Sequence, residues 1–151
     1  MNVDLMKNLK SQGTWRLFFF IMVTLTIYYG HYIKRQSRWI NEAIADENEK
    51  LSSNLVNGIL VLGYLNAASS IASALYKEGL LILLLGVAHY AWITCLCVWS
   101  VVAGRKVNTL NSAEEGSDTW FNAFWGMFFT PLYFNFKVNQ LNQKLSISSA
   151  T

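Results

Sequence analysis

Two uncharged runs, Leu51–Tyr76 and Gly79–Gly104, are separated only by Lys77-Glu78. As helix, 26 residues reach about 39 Å at ~1.5 Å per residue, more than the ~30 Å of a bilayer's hydrocarbon core. A segment surrounded by lipid must satisfy its backbone N–H and C=O groups internally, so runs of this kind are expected as helices. The two-residue linker predicts an antiparallel turn, and the pair reads as a transmembrane helical hairpin.

Composition agrees. The chain has 151 residues, of which 53% are hydrophobic, 15% aromatic and only 14% charged, against ~25% charged in soluble domains. One membrane domain, 1–151, is expected. Its fold class is all-α integral membrane, with embedded segments near 17–33, 54–76, 79–104 and 119–136 and an amphipathic surface helix near 36–50. The end segments are short, so four embedded helices are expected, the outer two either crossing the bilayer or re-entering it. The run after Arg16 ends in Tyr28-Tyr29-Gly30-His31-Tyr32 without a small-residue cleavage site, so no cleavable signal is expected.

Charge counting bears on the end segments, because Lys and Arg concentrate on the cytoplasmic side. If all four segments cross, the basic residues divide six against six; if the outer two dip and return, they divide eleven against one, with Lys77 alone. The weak internal echo points the same way. Tyr32-Ile33 and Ile40-Asn41 stand at the spacing of Tyr133-Phe134 and Leu141-Asn142. Each set follows an aromatic-rich apolar run, which suggests an apolar segment leading into a surface helix on either side of the hairpin.

Three groups of residues stand out. Gly63, Ala67, Ser70 and Ala74 form a small-residue stripe, expected as a helix-packing face because small side chains let backbones approach closely in lipid. Asn66, His89 and Thr94 are polar groups within the runs, and His89 is the one deeply placed ionisable group. Tyr32, Lys34, Arg35, Arg38 and Trp39 look interfacial, aromatic belt beside basic charge. Cys95 and Cys97, two apart on a helix, face different ways and are expected as small apolar side chains.

No catalytic constellation is present: no phosphate loop, no dinucleotide turn, no zinc signature and no nucleophile elbow. No enzyme activity, metal or cofactor is expected. His31 and His89 would share a depth suited to axial haem ligation only if the first segment dips. Basic residues flank apolar runs and do not form a nucleic-acid face, so no nucleic-acid partner is expected.

The stretch Thr24-Leu25-Thr26-Ile27-Tyr28-Tyr29, followed by Arg38-Trp39-Ile40-Asn41, resembles small bacterial membrane proteins of unknown function that carry a Thr-Leu-Gly-Ile-Tyr motif. Here Thr26 stands where that family has glycine. The resemblance implies a multi-pass protein of a cell inner membrane and no particular activity.

Two functions fit these features. One is a non-enzymatic accessory or scaffold subunit of a larger membrane complex, docking through the small-residue stripe and the aromatic last segment. The other is a self-assembling membrane effector or pore, oligomerising through the stripe and lining a passage with Ser69, Ser73, Asn66 and Thr94. The partners are therefore the lipid bilayer and either another membrane protein or further copies of this chain.

Overall fold

The computed structural model describes residues 2–10, 12–75 and 79–148. The chain is all-helical, with no strand among the described residues. Six helices follow in order: α1 (Val3–Leu9), α2 (Thr14–Val23), α3 (Ile27–Ala43), α4 (Ser53–Leu75), α5 (Gly79–Leu110) and α6 (Ala123–Ser148). The expected Lys77-Glu78 turn lies outside the described residues. Helices α4 and α5 pack against each other and are long and apolar enough to cross a membrane. Helix α3 lies along α4, and α6 lies along α5.

The segment expected at 17–33 is not one helix. It breaks at Thr24-Leu25-Thr26, and the chain turns back on itself there, with the Phe20 and Tyr28 rings 5.1 Å apart. The break is a Schellman ending: Thr26 N–H donates to Ile21 O at 2.9 Å, and Leu25, with φ 47°, takes the left-handed position usually given to glycine. Thr26 is left-handed too, at φ 76°, a conformation costly for a β-branched residue. This is the position at which the resembled motif has glycine. Helix α5 ends the same way: Ala113 N–H donates to Asn108 O, and Ser112 has φ 49°.

The separate surface helix expected at 36–50 is also corrected. Residues 36–43 are the second half of α3, and only a single 3-10 turn follows at Glu47–Glu49. Side chains supply the reason. Asn41 holds the Leu51 backbone at both ends, accepting its N–H at 2.7 Å and donating to its C=O at 3.1 Å, while Asp46 Oδ1 accepts Asn48 N–H. Such local side-chain bonds offer the backbone an alternative to the helical ladder.

The last apolar segment, expected at 119–136, enters helix only at Ala123 and continues through Ser148, with a sharp kink at Thr130, whose φ is 47°. Pro131 has no N–H and cannot bond Met127 O. Helix α5 fills the gap: Cys97 Sγ donates to Met127 O at 3.3 Å, and Ser100 Oγ donates to Thr130 O at 3.2 Å. Cys97 is therefore a donor and more than an apolar filler. The two arms of α6 fold toward one another, so that Phe121 and Phe134 rings meet at 5.2 Å and the Tyr133 hydroxyl accepts Asn122 N–H. Beyond Pro131 the arm buries Phe134, Val138 and Leu141, a helical spacing that continues where a polar tail begins in the sequence.

Thus each end segment breaks and turns back, and its following arm lays an apolar stripe on the core. The inner faces of the returning arms, Tyr32, Ile33, Ile40 and Phe134, Val138, Leu141, close the core around Trp99.

Candidate functional site

Asparagines gather the loops at one end of the molecule. Asn108 holds the Phe121 backbone by both its N–H (2.7 Å) and its C=O (3.0 Å). Asn111 Oδ1 accepts the Asn2 N–H at 2.8 Å, and Asn142 Nδ2 donates to Met6 O at 2.6 Å. Asn135 Nδ2 and Asn139 Nδ2 both donate to Gln12 O. Ion pairs join the same end: Lys106 with Glu49, and Lys144 with Asp118 at 2.7 Å. The Lys144 hydrogen bond holds the Asp118 carboxyl below its ordinary range, while desolvation lowers Lys137, which donates to Asp118 O. Residues 2–10, 12–14, 41–51, 106–122 and 135–144 therefore form one polar base, from which α4 and α5 project.

Of the residues expected as interfacial, Lys34 and Arg38 are exposed, and Arg38 lies 4.7 Å from the Trp39 ring. Tyr32 is corrected: it is 1% exposed and its hydroxyl donates to Asn135 Oδ1. It faces the core because it shares the inner stripe of α3 with Ile33, Gln36 and Ile40. Arg35 lies 5.8 Å from the Tyr32 ring, and its Nε and Nη2 are buried without hydrogen-bond partners.

The small-residue stripe divides. Gly63 and Ala67 are buried, and a Cβ on Gly63 would lie 3.5 Å from Trp92 Nε1 and 4.0 Å from Thr26 O. Ser70 and Ala74 are exposed, beyond the packed part of that face. The tightest approach of backbones lies elsewhere, at Gly30, where a Cβ would come within 2.9 Å of Leu60 Cα. In the sequence Gly30 is hidden among aromatic residues, and its neighbour is not local.

Asn66 and His89 do meet. Asn66 is buried, its Nδ2 donates to Leu62 O at 3.0 Å, and its Oδ1 lies 3.0 Å from His89 Nδ1. Since the amide nitrogen is committed to Leu62, the oxygen accepts and His89 Nδ1 donates; in the neutral ring Nε2 is then an acceptor. Thr94 is not part of this group; its hydroxyl donates to Tyr90 O on its own helix. Around the Asn66–His89 pair, α4 and α5 leave a notch of about 310 Å³ lined by Ser69, Ser70, Ser73, Leu85, Gly86 and Tyr90. A second recess, almost wholly apolar and about 440 Å³, lies between Thr14 and the aromatic residues of the α6 kink, including Trp125, Phe129 and Phe136.

No group of three or more His, Cys, Asp or Glu side chains is placed to hold a metal among the described residues. His31 Nε2 is bonded to the Tyr64 hydroxyl at 2.9 Å, and His89 Nδ1 to Asn66, so the two histidines have separate partners. No protein-family model, curated protein or solved structure matches the chain.

Proposed function

We propose that this is a non-enzymatic protein embedded in a cell inner membrane, serving as an accessory or scaffold subunit of a larger membrane complex. Only 22% of each hydrophobic window in α4 and α5 is buried within the chain. The core helices of a soluble protein would be mostly covered. In the membrane-embedded arrangement the hairpin crosses and returns, the outer segments dip and come back, and the polar base lies on one side. That is the eleven-against-one distribution of basic residues, the arrangement the positive-inside rule favours.

The observation that carries the accessory role is the first arm of α6. Phe124, Trp125, Phe128 and Phe129 are 57%, 48%, 63% and 53% exposed. The same arm is fixed by its other side, where Gly126 packs on Ser100 and Asn122 caps the helix start. A rigid, aromatic-dense face is what docking between membrane proteins uses, since Phe and Trp bring large contact areas with few rotamers to freeze. The rival pore is less well supported. The hydroxyl protons of Ser69, Ser73 and Thr94 are committed to their own helix carbonyls, so in a passage these side chains would serve as acceptors alone.

The test is a photo-crosslinking residue at Phe128, in cells, with products read by mass. One foreign membrane protein in defined ratio is the expected result. Crosslinks to further copies of this chain would favour self-assembly, and crosslinks to lipid alone would remove the docking role. Gly63→Leu is unsuited to this purpose, because Gly63 faces Trp92 and Thr26 inside the fold.

A further inference from the structure

Apart from the Tyr90 hydroxyl, the polar side chains lining the notch between α4 and α5 offer acceptors. Ser69, Ser70 and Ser73 each donate their single hydroxyl proton to a carbonyl of α4: Leu65 O, Asn66 O and Ser70 O. Their oxygens keep lone pairs to accept with. His89 spends its Nδ1 proton on Asn66, leaving the Nε2 lone pair as an acceptor. His89 lies about 15 Å along α5 from Gly79 and about 24 Å from Arg105, at ~1.5 Å per residue. On the membrane reading given above, on which this inference rests, that is hydrocarbon depth. Lipid tails offer no donor there, and an unmet polar group in hydrocarbon is costly.

The recess itself is made by Gly86. A Cβ on Gly86 would meet nothing within 4 Å, so no packing demand calls for glycine there, and its missing side chain keeps the floor of the notch open. The volume, about 310 Å³, is at the lower end for small-molecule sites and suits a compact head group better than a whole helix. Leu85 and the ring of Tyr90 give it apolar walls.

We propose that the notch binds the hydroxyl of a membrane-soluble, phenol- or alcohol-type small molecule, with His89 Nε2 accepting its proton and the serine oxygens accepting any second hydroxyl. Selection is by donor. A ligand of the same shape that carries only acceptors, such as an ether or a carbonyl, leaves Nε2 unmet, sets oxygen lone pairs against those of the serines, and has the Tyr90 hydroxyl alone as a side-chain donor.

The probe is 4-octylphenol compared with its methyl ether, added to the protein in phosphatidylcholine vesicles. Flotation of the vesicles first reports integration. Binding is then read from the His89 ¹⁵N imidazole resonances and by equilibrium partition. The phenol should bind about tenfold more tightly than the ether, one good hydrogen bond's worth. Gly86→Leu, whose side chain would occupy the notch, should abolish binding of both. His89→Phe should remove the preference while leaving weak binding.

Equal binding of phenol and ether by an integrated protein overturns the notch and leaves the membrane reading standing. So does a preference that survives Gly86→Leu and His89→Phe, or a self-association that depends on His89 and is insensitive to phenol. Failure to float with the vesicles overturns the membrane reading, and the inference falls with it.

Discussion

Replacing Gly30 by alanine should part α3 from α4. An alanine Cβ there would lie 2.7 Å from Leu60 Cδ1 and 2.9 Å from Leu60 Cα. The first clash can be relieved by a rotamer change, but the second is with backbone, so one helix must move. Overpacking of this kind costs about 1–3 kcal/mol. The change also removes a helical glycine, which returns about 1 kcal/mol. Gly58 supplies the control: it lies inside α4, and a Cβ there meets nothing within 4 Å. Gly58→Ala should therefore stabilise by up to about 1 kcal/mol, and the difference between the two variants isolates the clash, about 1–3 kcal/mol. The assay is denaturation in a mild detergent followed by fluorescence of the six tryptophans. Trp92 reports directly, because its ring meets Tyr29 of α3 at 5.7 Å. Adding Leu60→Ala to Gly30→Ala should recover only part of the loss, since the clash with the Leu60 backbone remains. If Gly30→Ala proves as stable as Gly58→Ala, the close approach of α3 and α4 is wrong.

Other perturbations follow from single features. Thr26→Gly should stabilise by about 1 kcal/mol in the same assay, the left-handed penalty of ~1–2 kcal/mol being partly offset by the freer unfolded chain. Asn108→Ala strands the Phe121 N–H and C=O and should cost about 1–3 kcal/mol, with faster hydrogen exchange confined to residues near 121. Ser100→Ala should cost about 1 kcal/mol and loosen the α6 kink, seen as increased protease cleavage near Thr130, whereas Cys97→Ser should be well tolerated because a hydroxyl can replace the thiol donor. Acid should release the Asp118 loop: a carboxyl held below its ordinary range contributes fully above that range and loses the contribution as pH falls through its lowered pKa. In Lys144→Met that release should move to higher pH, as followed by hydrogen exchange of residues 114–120.

The long helices were legible because nothing but length and absence of charge was needed to see α4 and α5. Pro131 likewise marked the α6 kink. The break at 24–26 carried no such sign. It contains neither glycine nor proline, and a leucine occupies the C′ position of its Schellman ending. Only the departure from a glycine-bearing motif at Thr26 touched on it. The continuation of α6 to Ser148 was visible in principle through Val138, Leu141 and Leu145, but polar residues at intervening positions obscured the stripe. Tyr32 read as a belt residue because its neighbours Lys34 and Arg35 are basic; its burial depends on Asn135, more than a hundred residues away. The notch was half seen: Asn66 and His89 were singled out separately, while their union, and the exclusion of Thr94, required the register between two helices.

The asparagine ties also order the events of synthesis. Residues 2–10 and 12 leave the ribosome well before the side chains that hold them, Asn111, Asn135, Asn139 and Asn142. Until those arrive, Leu5, Met6 and Leu9, all buried in the finished protein, can pack against α3 but lack the α6 side of their site. This segment therefore stays half covered, the rest of its apolar side sheltered by lipid or by a chaperone, until more than a hundred further residues have followed. A chain cut short before Asn135 would leave that segment loose, a ready signal by which incomplete copies are told from complete ones.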